Sequence, residues 1–240
     1  MAAAVAAALR EGGDYVVVTG RSWSGLEDVV RAAALHVPSP GPSTRLAVAR
    51  GIALGGRRAV VVVDEGTALD APLPAPAITT SRQAALVALR AGWSVVQPAA
   101  ATDVAPLLEQ VAGPILVLVG SATGDLPADQ LVPAPAPVRQ WREGPLATLA
   151  ASGRGIAATL YLGDRLLARG VEVNLVELAV LTRAEHGALV GGDVVLVGLP
   201  DDADRLRQDR PPARPMFAAA LDQPDADLIG DVLAHVRVAP

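Results

Sequence analysis

Four short runs rich in β-branched residues, at 15–19, 59–63, 93–96 and 114–119, are each bounded by turn residues, and they constrain the fold most. Runs this apolar read as strands buried on both faces, the mark of a parallel sheet. Between them lie stretches of helical character at 25–35, 44–54, 81–90 and 103–111, with Thr44 and Asp103 placed as N-caps. Strand and helix alternate, so the first half is expected to be an open α/β sheet.

Two proline-rich segments interrupt this order. Residues 70–77, with Pro72, Pro74 and Pro76, are expected to be a tight connector, because each proline lacks a donor and restricts its predecessor. Residues 127–141, with Pro133, Pro135 and Pro137, have the character of a semi-rigid linker. The alternation then resumes: strands at 146–150, 171–177 and 193–198, helices at 155–168 and 227–236, and a charged, proline-rich surface loop at 201–215. Gly170 after Arg169 is placed as a helix C-cap should be. The expected organisation is a domain over 1–126, the linker, and a smaller α/β domain over 142–240.

Composition excludes several chemistries. The chain has 240 residues and no cysteine, which removes disulfides, thiolate metal sites and a cysteine nucleophile. Its 20 basic residues are all arginine, so a Schiff-base or phosphate-loop lysine is absent. A net charge of -5 argues against a nucleic-acid partner. The Ala/Val-rich opening, residues 1–9, lacks a basic flank and reads as a helix rather than a signal peptide. No apolar run is long enough to span a bilayer, and a cytoplasmic chain is expected. A mean hydropathy of +0.38 points to a large buried subunit interface.

Two long stretches resemble a known family. Ala49-Arg50-Gly51-Ile52-Ala53-Leu54-Gly55-Gly56-Arg57-Arg58-Ala59-Val60 resembles the "A-x-G-x-A-L-G-G-x-R-P-x" passage from helix to strand in the pyrimidine-binding domain of transketolase-like enzymes. Leu89-Arg90-Ala91-Gly92-Trp93-Ser94-Val95-Val96-Gln97-Pro98-Ala99, followed by Gly113-Pro114, is similar to that domain's last two strands. After the linker, Gly144-Pro145-Leu146-Ala147-Thr148-Leu149, then Leu166-Leu167-Ala168-Arg169-Gly170-Val171-Glu172-Val173 and Glu177-Leu178, resemble the start of the family's C-terminal domain. The resemblance spans roughly residues 14–200, in the family's order.

The resemblance implies two small open-sheet α/β domains, pyrimidine-binding-like and then transketolase C-terminal-like. It also implies thiamine diphosphate (ThDP) and Mg as the cofactors of the assembled enzyme. The family's diphosphate-binding domain, with its GDG…N metal motif, has no counterpart in this sequence. A split enzyme follows: a separate chain supplies the Mg-diphosphate site, and this chain alone is expected to hold neither cofactor nor metal. Family members pair two pyrimidine-binding units about a two-fold axis. A homodimer, or pairing with a paralogous subunit, is therefore expected around 51–56, where small residues permit close helix approach.

In the family, a Glu hydrogen-bonds the aminopyrimidine ring and promotes the tautomer that activates ThDP. The family spacing puts Pro42 at that position, and no carboxylate lies between Asp28 and Asp64. The aromatic residues that follow the "G-G-x-R-P" strand are replaced by Asp64-Glu65-Gly66-Thr67, and the "D-G-P-T-H" loop has no counterpart. The 70–77 connector looks too short for the helix and strand that the family places there. The substrate-phosphate Arg is replaced around Gly120-Ser121.

Other polar residues admit two readings. Asp64, Glu65 and Thr67 follow a central strand, where α/β folds place ligands, and the two carboxylates could do acid–base work or simply form a solvated turn. His36, His186 and His235 lack metal-ligand spacing and fit surface or capping roles. Gly153-Arg154-Gly155 could cradle an anion or make a tight strand-to-helix turn. Trp23 and Trp93 fit core or interface anchors. The leading expectation is a catalytically degenerate C-terminal-half subunit retained for assembly. The alternatives are an active ketol-transferase subunit using Glu65 as a relocated carboxylate, and a stand-alone scaffold.

Overall fold

The computed structural model describes residues 1–20, 23–39, 41–63, 67, 69, 76–119, 132–153, 155–181, 193–198 and 216–220, with single positions at 230 and 234. The chain divides into two compact units, Met1–Ala122 with Val180–Thr182, and Thr123–Ala179 with Arg183–Pro240.

In the first unit the chain runs α1 (Ala2–Glu11), β1 (Tyr15–Thr19), α2 (Glu27–Ala32), β2 (Leu35–Pro38), α3 (Pro42–Leu54) and β3 (Arg58–Val62). It continues through β4 (Ala77–Thr79), α4 (Arg82–Arg90), β5 (Ser94–Val96), a 3₁₀ turn, α5 (Val104–Gln110) and β6 (Ile115–Leu118). The sheet is completed by β10 (Val180–Leu181), in the order β10-β5-β6-β4-β3-β1-β2. All pairings are parallel except that of β10 with β5. Every residue of β1, β4 and β5 is buried, which is why these runs are apolar throughout rather than alternating. The edge strand β2 is largely exposed.

Left-handed glycines end α3 and α4. After α3, Gly56 (φ +77°) lets its own amide reach the Ala53 carbonyl and the Arg57 amide reach Ile52, a Schellman motif that satisfies two orphan carbonyls. Gly92 (φ +83°) does the same after α4. Ser81 caps the start of α4, its Oγ accepting from the Ala84 amide at 3.2 Å. The end of α1 is closed by Arg58, whose Nη1 donates to the carbonyls of Leu9 and Gly13 at 2.8 and 2.9 Å. Tyr15 is tied down from inside the core: its hydroxyl donates to the Val29 carbonyl at 2.7 Å. Burial pushes its pKa above the ordinary tyrosine value, against the smaller lowering influence of Arg10.

The second unit holds β7 (Val138–Arg142), β8 (Ala147–Ala151), α6 (Gly155–Leu167), β9 (Asn174–Leu178), β11 (Asp193–Gly198) and β12 (Met216–Ala220). Their sheet order is β12-β11-β8-β9-β7, parallel except for β7 on β9. Gly170 (φ +75°) completes the Schellman motif after α6, with its own amide on Leu167 and the Val171 amide on Leu166. Within this sheet Arg139 and Glu177 are register partners and form a buried ion pair at 3.3 Å, their side chains 1% and 0% exposed. Trp141 Nε1 donates to the same carboxylate at 3.0 Å.

Several expectations are corrected. The helix expected over 25–35 stops at Ala32, because Ala33 turns extended and Leu35–Pro38 pair with the open edge of β1 as β2. The helix expected from Thr44 begins at Pro42 behind Gly41, so Thr44 lies in the first turn and is not the cap. Asp103 does precede α5, but its side chain makes no cap bond. The 70–77 connector gives way at Ala77 to β4, so the strand that looked missing is present, three residues long. Residues 138–141 of the expected linker are taken up by β7. The expected loop at 201–215 and most of the helix at 227–236 lie outside the described residues.

Candidate functional site

A connection from β1 leads to β2 on one side, and the chain then returns to β3 on the other side of β1. The gap between β1 and β3 is therefore the switch point of this parallel sheet. The crevice outside the carboxyl ends of those two strands is where open α/β sheets bind ligands.

The group that fills that position is Arg45. It stands one turn into α3, the helix that packs across β3 and β1, and it is only 4% exposed. Its Nη1 donates to the Val62 carbonyl, the last of β3, at 3.1 Å. On the β1 side its guanidinium lies against Gly20: a Cβ at that glycine would stand 2.8 Å from Arg45 Cζ and 2.9 Å from Nη2. One cation thus bridges the ends of both switch-point strands, in a place where a larger residue than glycine would collide with it.

Ser39 lies beside it. The pairing of β1 with β2 runs to Thr19↔Pro38, and the Ser39 amide donates to the Thr19 carbonyl at 2.9 Å, which extends the ladder by one step and puts Ser39 opposite Gly20. Register partners in a parallel pair project to the same face. Ser39 therefore shares the face on which Arg45 covers Gly20. It is 5% exposed, and its Oγ has no hydrogen-bond partner. On the opposite face Thr19 Oγ1 and His36 Nε2 are 2.7 Å apart, and the Trp23 ring meets the imidazole edge-on at 6.2 Å between centroids.

The positions singled out from the sequence divide. Pro42 is the first residue of α3, and its ring removes a first-turn N–H as well as any carboxylate. Thr67 is buried at 3% exposure. Asp64, Glu65, Gly120, Ser121, Arg154, His186 and His235 lie outside the described residues. Gly153 (φ +53°) and Gly155 form a strand-to-helix turn, closed by the Ile156 amide on Gly153 and the Gly155 amide on Ser152. Trp93 is in the core at 2% exposure. Among the described residues no group of three or more His, Asp or Glu could hold a metal ion. No helix among them is long and apolar enough to cross a membrane.

The resemblance expects a carboxylate acceptor for the aminopyrimidine of ThDP at the Pro42 position. A proline supplies none, and the ionised side chain found one turn further on among the described residues, Arg45, can only donate. Sequence reasoning missed Arg45 and Ser39. The available signal was an arginine spaced with Leu46 and Ala49 on the buried side of α3.

No family model and no curated protein matches the chain. Solved structures do. The chain is similar to a structure described as "Split gene transketolase, inactive beta4 tetramer", at TM-score 0.66 and 16% identity, over 99% of this chain and 95% of that one. It is also similar to the 2-oxoglutarate:ferredoxin oxidoreductase of Magnetococcus marinus, at TM-score 0.70 and 11% identity, over 98% of this chain and 64% of that one. A third likeness is to transketolase from Campylobacter jejuni, at TM-score 0.66 and 10% identity, over 96% of this chain and 45% of that one. The chain thus has a transketolase-like fold, and it spans about half to two thirds of the two longer chains.

Proposed function

We propose that the chain is the small, C-terminal-half subunit of a split transketolase-like enzyme, catalytically degenerate and retained for assembly. The reading is carried by the start of α3: the family spacing puts the relay carboxylate at Pro42, and this helix begins with that proline, with Arg45 buried one turn later. The near-complete mutual coverage with a chain from a split-gene transketolase supports the half-enzyme part of the reading. ThDP and Mg belong, on this proposal, to a complex with a separate diphosphate-binding chain.

The test is co-expression with a neighbouring gene that encodes a diphosphate-binding chain, then mass measurement of the complex and a ThDP titration of each component. The expected result is a stable complex and no measurable ThDP affinity of this chain alone. Tight Mg-ThDP binding by the isolated chain would overturn the reading.

A further inference from the structure

We propose that a recess at the amino ends of β3 and β6, between the end of α1 and α5, binds a small zwitterion: an α-amino acid with an aliphatic side chain. Arg58 and Ile115, the first residues of those two strands, both line it, so it lies at the opposite end of the sheet from the switch-point crevice. Its volume is about 280 Å³. Sites for drug-sized ligands start at roughly 300 Å³, so the ligand is a small one. Leu9, Leu108 and Ile115 give the recess an apolar wall. Leu9 is buried and the other two are half-buried, and this wall would take the ligand's aliphatic part.

The charged residues facing the recess decide the ligand's polar groups. They are one cation, Arg58, and two acids, Glu11 and Glu109. Arg58 Nη1 donates to the carbonyls of Leu9 and Gly13 at 2.8 and 2.9 Å, which holds the guanidinium at the end of α1. It lies against the Gly12 backbone, where a Cβ would stand 2.5 Å from Nη2. Held there, it forms no ion pair with either acid among the described residues, although all three line one recess. A ligand carboxylate on Arg58 and a ligand ammonium beside the two glutamates match these charges in sign. A simple anion or a simple cation would satisfy one set and face like charge from the other. All three side chains reach solvent, so the empty recess costs little and the ligand has an entry. Every residue named lies in the first unit, and the inference needs neither a partner chain nor ThDP.

The experiment is a thermal-shift and calorimetric titration of the full chain with L-leucine. Parallel arms use leucinamide, which lacks the carboxylate, and N-acetyl-leucine, which lacks the ammonium. The expected result is saturable binding of leucine, with each blocked analogue weaker by about fivefold or more, the loss of one exposed ion pair of about 1 kcal/mol. The double variant Glu11→Gln, Glu109→Gln changes two exposed side chains, should keep the parent's melting temperature, and should weaken leucine binding about tenfold. The same variant should bind N-acetyl-leucine no worse than the parent does, because that analogue carries no ammonium for the glutamates to hold. No saturation by leucine, equal binding of the three probes, or undiminished leucine binding by the double variant would each overturn the proposal.

Discussion

Arg45 closes over Gly20 so tightly that a methyl group on the glycine would stand 2.8 Å from the guanidinium carbon. The guanidinium is the far end of a flexible side chain, but it is buried and fixed on the Val62 carbonyl, so it has nowhere inexpensive to move. Gly20→Ala should therefore destabilise the chain by about 1–3 kcal/mol in urea unfolding, the usual range for overpacking. In an Arg45→Ala background the same change should cost much less, with a coupling energy of at least about 0.5 kcal/mol in the double-mutant cycle. Additive effects would show that the two residues do not share this space.

Tyr15 predicts the alkaline behaviour of the first unit. Its raised pKa means that the folded chain keeps a phenolic proton which the unfolded chain releases. Its contribution is complete below the unfolded value of about 10 and is lost as pH climbs from there through the folded pKa. Tyr15→Phe should cost about 1 kcal/mol at neutral pH by stranding the Val29 carbonyl, and should flatten the fall in stability above about pH 10. Urea midpoints followed through the alkaline range would check this, and an unchanged alkaline limb would refute it.

The ion pair in the second unit should behave asymmetrically. Arg139→Met removes the guanidinium that faces the buried Glu177 carboxylate and should cost about 3–5 kcal/mol, whereas changing both residues to apolar ones should recover most of that loss. Denaturant unfolding of the single and double variants reads the difference directly.

Self-association is expected through the outer face of α3, where Leu54 is 88% exposed beside Gly51 and Gly55. Leu54→Glu should dissociate the assembly in analytical ultracentrifugation while changing intrinsic stability by no more than about 0.5 kcal/mol. An unchanged sedimentation coefficient would place the interface elsewhere.

For the assembled complex, Glu65→Gln should leave any activity nearly unchanged if the chain is degenerate. Had Glu65 taken over the relay, the substitution would cost about 10²–10⁴ in rate. A hundredfold loss with intact assembly and wild-type melting would make Glu65 catalytic.

The central strands of the first sheet were legible in the sequence because burial on both faces leaves an uninterrupted apolar run, and the observed ends of β1, β3, β5 and β6 lie within a residue of those expected, whereas β9 of the second sheet, expected over 171–177, begins only at Asn174. What stayed hidden is physically of another kind. β2 carries His36 and Pro38, lies at an edge and needs no apolar alternation, so its first residue, Leu35, read as the end of a helix and the other three as no element at all. β4 has three residues behind a run of prolines, too few for any period to show. β10 has two, and only its pairing with a distant strand defines it. At the site, the absent carboxylate was visible in the sequence. The convergence of Arg45, Gly20 and Ser39 was not, since three elements bring them together and the register of β1 with β2 decides which face they share.

That late strand has a consequence for biosynthesis. The first sheet has six of its strands in hand once residue 118 has been made, yet its seventh, Val180–Leu181, is translated only after the segments that form β7, β8, α6 and β9. At about 5–20 residues per second, the outer edge of β5 stays open on the ribosome for several seconds. An open parallel edge is a template for another nascent chain. A chain truncated after the proline-rich segment would keep that edge permanently, so the natural point at which to divide this protein by length is the wrong one by topology.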